Sequence, residues 1–390
     1  MKELSECRVL IVDDVKANVD ILVQALSSEY KLSVALGGQQ ALEAVRRSPP
    51  DLILLDIVMP DIDGYEVCRK LRAAEATREL PIMFLSSLED VTNKARGFEV
   101  GGNDYLTKPF EMLEVKARVR SLLKAKAYAE AVKAAAERDL RIAREIQMGL
   151  LPADVSAQTR GTGLDVGAAL EPARQVGGDL YEVLRLGPDR VLVAVGDVSG
   201  KGIPAALFMA VAMTLLRSLA RQGYAPEEIL RRLNDELLEQ NPRGMFVTLQ
   251  CLVFDLATGH VTCASAGHHA AVRVAPGEAP ELAFTSCGRV LGLMPSEAIS
   301  SETLRLRAGD VFVLFTDGVS EAFDPHDDLF GEERLLAQLQ ASPGQSAREI
   351  TRGVLEAVHG HAAGAQQSDD ITIVSVCYAG RPSEATVGGV

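Results

Sequence analysis

Paired cysteines are missing from this chain. Its six cysteines (Cys7, Cys68, Cys251, Cys263, Cys287 and Cys377) are scattered with no CxxC pair, which argues against a disulfide framework or a structural zinc site and fits a reducing compartment. Positive charge is also in short supply. Forty Lys and Arg against 54 Asp and Glu leave a formal charge of −14 and a pI near 5.0, so neither nucleic acid nor an anionic membrane is expected as a partner. A long apolar run is lacking as well: IPAALFMAVAMTLL (203–216) is shorter than a bilayer requires and reads as a buried helix. The opening MKELSECRVLIVDD has no signal-peptide pattern, and a cytoplasmic location is expected. What remains is ordinary globular composition, 47% apolar and 24% charged, in 390 residues, a length that suggests two domains.

The first 125 residues alternate strand-like runs (RVLIVDD, LSVAL, DLILLD, PIMFLSS, NDYLTKPF) with helix-period segments such as ANVDILVQAL and GYEVCRKLRAAE. That alternation predicts an α/β doubly wound, five-stranded parallel sheet covered by helices on both faces. Ligands of such sheets bind at the carboxyl ends of the strands. Asp13 and Asp14 follow the first run, Asp56 ends the third, Ser86 ends the fourth and Lys108 follows the fifth. One Asp pair alone would be explained as a helix cap. Three converging carboxylates instead call for a divalent cation with oxygen ligands.

With those residues in place, the segment resembles a response-regulator receiver domain of the CheY-like kind, assigned to 1–125. The resemblance implies Asp56 as phosphoacceptor, and Asp13 and Asp14 as the acidic pocket that joins it in holding magnesium (Mg2+). It further implies Ser86 and Tyr105 as switch residues, Lys108 as the contact to the phosphoryl group, a cis Lys108–Pro109 bond, and an upstream histidine kinase.

Residues 111–150 carry no turn signal until Gly149 and Pro152 and are dense in helix formers. One helix is expected, roughly 60 Å long at 40 residues. Val115, Leu122, Ala129, Ala136, Ala143 and Leu150 recur every seventh position, with Val119, Ala125, Val132, Leu140 and Ile146 between them. The stripe predicts a weak, alanine-rich coiled coil and hence a homodimer through this connector; packing of the helix on its own chain is the alternative.

The second domain, 151–380, changes to longer strand-like runs with grouped helices, which predicts an α+β antiparallel sandwich flanked by helices. Within it, GDVSGKGIPAAL (196–207) has the strand, glycine turn and helix of a phosphate-binding loop. Its glycines Gly196 and Gly200 enclose three residues instead of four, and Gly202 stands where a Ser or Thr should follow Lys201. Asp197 is therefore the residue to explain. Asp179, Asp317 and the Asp369–Asp370 pair also sit at edges of apolar runs, where lone carboxylates are costly. No His joins them with ligand spacing, so an all-oxygen site for magnesium or manganese (Mn2+) is favoured over zinc. Four carboxylates suit two cations better than one.

VGGDLYEV, VGDVSGKG, CASAGHH, FTDGVSEA and SDDITIV, led in by LRIAREIQMGLLP, resemble the PPM class of metal-dependent serine/threonine protein phosphatases, in particular its SpoIIE-like branch. The resemblance implies that Asp197 bridges two cations and that Asp179 and Asp317 bind one each. Asp369 and the Val198 carbonyl complete the set, with Gly178 and Asp370 just behind the ligands. It also implies a phosphorylated STAS-type anti-sigma-factor antagonist as substrate. Glu182 replaces a common Asp and His269 a common Asn. A non-catalytic adaptor on the same fold is the rival reading. The tail 381–390 is expected to be disordered.

Overall fold

The computed structural model describes residues 3–86, 96–239, 241–295 and 299–380; the expectation for 381–390 falls outside them. The chain divides into two compact units, Met1–Arg138 and Asp139–Val390.

In the first unit, β1 (Arg8–Val12), β2 (Lys31–Ala35), β3 (Leu52–Asp56), β4 (Ile82–Ser86) and β5 (Asp104–Thr107) form a parallel sheet in the order β2-β1-β3-β4-β5. Strands β3 and β4 are buried along their whole length, as continuous apolar runs must be when both faces are covered. Side-chain alternation splits the apolar residues between two cores. Leu10, Val12, Ile53 and Leu55 face one, packing with α2 (Gly38–Arg47) and α3 (Gly64–Ala73), while Val9, Ile11, Leu52 and Leu54 face the other, with α1 (Lys16–Leu26). The strand order reverses between β1 and β3, and this is where Asp13 and Asp56 emerge.

Helix α4 spans Met112–Leu150. The predicted stripe divides along it. Val115, Val119 and Leu123 are buried in the first unit's second core, so the front of the stripe packs on its own domain. Farther along, Tyr128, Val132, Ile142 and Ile146 are exposed.

The second unit stacks two antiparallel five-stranded sheets. One has the order β13-β10-β9-β8-β7, built from β7 (Leu180–Arg185), β8 (Arg190–Val198), β9 (Val247–Asp255), β10 (His260–Ala266) and β13 (Ser301–Arg305). The other is β12-β11-β14-β15-β6, from β6 (Leu164–Glu171), β11 (Ala271–Val274), β12 (Glu281–Ala283), β14 (Val311–Phe315) and β15 (Ile371–Tyr378). Leu180, Val195 and Leu252 from the first meet Phe312, Val374 and Val376 from the second in one core, which continues into α6 (Ile203–Ala220) and α7 (Pro226–Glu239). On the far face of the second sheet, Val313, Phe315 and Ile373 pack against α9 (Gly331–Gln340) and α10 (Ala347–Ala362). The short helices α5 (Val155–Thr159) and α8 (Asp317–Ser320) complete the unit.

Three strands escape the sequence pattern. β11 and β12 are short, and β13 has no buried position along SETLR, so none presents an apolar run. Thr258 and Gly259 turn the chain in a hairpin between β9 and β10: Asp255 pairs with His260, and Gly259 takes a φ of +71°. Helix α6 is long and apolar enough to cross a membrane by composition. Phe208, Met209, Met213 and Leu216 are nevertheless buried in the domain core.

Candidate metal centres

In the first unit the ends of β1 and β3 bring Asp13, Asp14 and Asp56 together, with one carboxylate oxygen from each within 4.8 Å of the others. Lys108 spans the pocket, its Nζ 2.7 Å from Asp13 and 2.9 Å from Asp56. One ammonium against three carboxylates leaves the charge of a divalent cation unmatched, so these residues fit one. Burial raises the Asp56 carboxyl above its usual range while Lys108 pulls it back. Asp13 also accepts from the Val15 amide at 2.9 Å and from Asn18 at 3.1 Å, so the capping role is partly realised alongside the pocket. Ser86 is buried at the end of β4. Tyr105 packs at 5.3 Å from the Phe84 ring and 5.5 Å from Phe98. The Lys108–Pro109 bond is cis.

In the second unit the carboxylates come from four places: Asp179 just before β7, Asp197 in β8, Asp317 opening α8, and Asp369 just before β15. Asp179 is buried, and its Oδ2 accepts from Thr316 Oγ1 at 2.8 Å and Thr372 Oγ1 at 2.5 Å. Burial drives its carboxyl well above the ordinary range, with the Asp197 charge adding to the push. Burial and the charges of Asp317, Asp369 and Asp370 push Asp197 up to about 7, and Asp179 lies within hydrogen-bonding reach of it. Asp317 is raised by burial and then by Asp369. Carboxylates held this close need protons or cations between them. Among the described residues, however, no three of these acids gather within 4.8 Å as the receiver's do. The C-terminal acids thus meet pairwise, as Asp179 does with Asp197, and not in one threefold pocket.

Lys201 is tied into the acidic cluster. Its Nζ lies 2.9 Å from Asp369 Oδ2 and donates to the Ser368 carbonyl at 2.7 Å. His268 is structural: buried, joined to Thr248 Oγ1 at 2.9 Å and to the Phe315 carbonyl at 3.0 Å. His269 stacks on Phe315, with ring centroids 5.8 Å apart.

Asp370 holds the cluster's backbone. Its Oδ1 accepts from Ala173 N and its Oδ2 from Gly178 N, both at 2.8 Å. A Cβ on Gly177 would lie 1.8 Å from Asp370 Oδ2, and one on Gly178 would lie 2.5 Å from the Val198 carbonyl and 2.9 Å from Asp197 Oδ1. The glycine pair is therefore required by close packing against the acids themselves.

Four contributors went unseen in the sequence. Thr316 and Thr372 orient Asp179; their signal is a hydroxyl beside each acidic motif. Gln147, buried in the last turns of α4, donates to the Gly177 carbonyl at 2.7 Å and accepts from its amide at 3.2 Å. Arg217 pairs with buried Glu182 and donates to the Leu150 carbonyl. Glu182, the departure noted above, is thus a buried ion-pair partner outside the ligand set.

Comparison with known proteins finds a family match in each unit. Residues 9–120 match the response regulator receiver domain, and residues 187–379 match stage II sporulation protein E (SpoIIE). Protein IcfG of Synechocystis sp. is 29% identical over 265 residues, covering 61% of this chain and 41% of that protein. Response regulator PleD of Caulobacter vibrioides is 43% identical over 120 residues, 30% of this chain and 26% of that protein. The chain thus spans less than half the length of either relative. Among solved structures, the SiaA-PP2C domain of Pseudomonas aeruginosa superposes with a TM-score of 0.56 at 23% identity, over 63% of this chain and 98% of that one. The two family matches define a response-regulator receiver domain joined to a phosphatase domain. Within that class the C-terminal domain is a PPM phosphatase domain of the SpoIIE type.

Proposed function

We propose that this chain is a two-component response regulator whose output is hydrolysis of phosphoserine or phosphothreonine on a partner protein. The partner is a phosphorylated STAS-type anti-sigma-factor antagonist. A histidine kinase charges the receiver, the location is the cytoplasm, and two copies pair through α4. The observation that carries the reading is the convergence of Asp179, Asp197, Asp317 and Asp369 with so little compensating positive charge.

Receiver domains bind magnesium and PPM phosphatases depend on divalent metals. In the receiver, Asp13, Asp14 and Asp56 hold magnesium. The Asp56 carboxylate attacks the donor phosphorus, the donor leaves, and an acyl phosphate remains, with Lys108 neutralising the transferred oxygens and Ser86 and Tyr105 reading the change. In the phosphatase domain, Asp197 would be the central ligand for two manganese or magnesium ions. Asp179, Asp317, Asp369 and the Val198 carbonyl are the remaining ligands. Bound divalent cations supply an activated water and neutralise charge on the phosphate. The chain's own part is orientation: Thr316 and Thr372 fix Asp179, while Asp370 and Gly178 fix the loop before β7. Phosphorylation at Asp56 acts on the second site through α4, whose Gln147 grips that same loop.

The Lys201–Asp369 ion pair favours a second reading, a non-catalytic adaptor, because it sets an ammonium on a proposed ligand. Manganese-dependent turnover of a serine-phosphorylated STAS-domain protein, with and without acetyl phosphate, separates the two. Turnover abolished by chelation and by Asp317→Asn is expected. Binding without turnover would establish the adaptor.

A further inference from the structure

Beside the C-terminal acidic cluster the surface opens into a groove of about 400 Å³ that the hydrolytic chemistry does not use. One wall is the exposed face of α6, from Ile203 through Leu207 to Val211; the other is Pro242 and Met245, ahead of β9. Ile203 is 50% and Leu207 65% exposed. Two large aliphatic side chains standing in water on one helix face are costly, and a contiguous apolar patch of this kind marks a contact surface. The groove's form is fixed from behind. Asn241 donates to the Gly292 carbonyl at 2.7 Å and accepts from Met245 N at 2.9 Å, which pins the second wall.

We propose that this groove docks the phosphorylated protein substrate, gripping apolar side chains that flank the phosphorylated residue. The inference rests on the phosphatase reading above. Two observations select this occupant. The first is continuity: Ile203 lies two residues after Lys201, whose ammonium touches Asp369, and two residues span at most about 7 Å. A phosphoserine seated at the acidic cluster therefore brings its neighbouring residues over the groove, whereas a small phosphate ester does not reach it. The second is charge. Exposed Arg243 lines the groove and sets a cation where the negatively charged chain of a phosphoprotein would lie.

The test compares two substrates in manganese: p-nitrophenyl phosphate and a serine-phosphorylated STAS-domain protein. For Leu207→Glu and Ile203→Ser, KM for the phosphoprotein is expected to rise tenfold or more with kcat within twofold, while p-nitrophenyl phosphate kinetics stay at wild-type values and so report an intact fold. Arg243→Glu is expected to raise the phosphoprotein KM about threefold, and less at high salt. An unchanged phosphoprotein KM in Leu207→Glu would overturn the groove while leaving the phosphatase reading in place. Absence of wild-type turnover on p-nitrophenyl phosphate would remove the phosphatase reading and the groove with it. Turnover of that ester but not of the STAS-domain protein would overturn the docking partner. A change in the chain's mass in solution on Leu207→Glu would reassign the face to a contact between copies.

Discussion

The two acidic clusters of this chain meet their charge in different ways. In the receiver unit, three carboxylates crowd within 4.8 Å and share one lysine that touches two of them, leaving a deficit that one divalent ion fills. In the C-terminal unit the acids are spread wider and two are held by hydroxyls or backbone amides, and the lone ammonium among the described contacts sits on the outermost acid. Burial there, and after it repulsion from Asp317, Asp369 and Asp370, pushes Asp197 up to about 7. A compact pocket with one cation against three acids suits one ion and a covalent phosphoryl group on Asp56. A broad, under-neutralised one suits two ions and a water.

The sharpest way to break this contrast is to remove one acid from each cluster. Asp197→Asn is expected to lower phosphoester turnover by about 10³-fold, comparable to deletion of a group that stabilises a transition state, while labelling of Asp56 by acetyl phosphate continues at the wild-type rate. Asp56→Asn is expected to do the reverse: no labelling, basal turnover retained, and no response of turnover to acetyl phosphate. Radiolabelled acetyl phosphate and a phosphate-release assay read both. Loss of both activities in either variant would mean that the clusters are not separate centres.

A smaller effect tests how the C-terminal cluster is held. Gln147→Ala leaves the Gly177 amide and carbonyl unpaired in a buried position, which costs about 1–3 kcal/mol. Urea unfolding should show that loss, and kcat should fall more than KM changes, because the loop before β7 carries Asp179. The same substitution should leave Asp56 labelling untouched.

Much of this was legible in the sequence because both cores announce themselves as apolar runs. The acids stand at the ends of those runs, so Asp13, Asp56, Asp197 and Asp317 were readable from position alone. Thr316, Thr372, Gln147 and Arg217 were not. Each is defined by a partner far away in the chain, such as Thr372 with Asp179 or Gln147 with Gly177, and even where a hydroxyl beside an acidic motif hints at a role, as at Thr316 and Thr372, the local sequence does not name the partner. The heptad stripe of α4 is ambiguous for a related reason: burial against Leu106 and Leu85 in its own core and burial against a second helix demand the same spacing from Val115 and Val119. β13 lacked a signal because an edge strand with no buried position has no alternation to show.

The smallest expected effect concerns pH. Burial, then the neighbouring His269, holds the His268 imidazole down to about 3, so in the folded chain it stays neutral while in the unfolded chain it takes a proton below about 6.5. The unfolded state therefore binds the extra proton between those values, and His268 makes stability fall as pH drops through that window, by up to about 1.4 kcal/mol per pH unit. His268→Gln should flatten the slope of unfolding free energy between pH 6 and 4 by about one proton relative to wild type. Parallel slopes in the two proteins would show that the ring is protonated in the fold.

The most direct test is a count of manganese ions by titration calorimetry on the full chain and on its Asp197→Asn variant. About three ions per wild-type chain are expected, one in the receiver and two in the phosphatase domain, falling to one in the variant. A single ion in both proteins would contradict a two-cation centre built on Asp179, Asp197, Asp317 and Asp369.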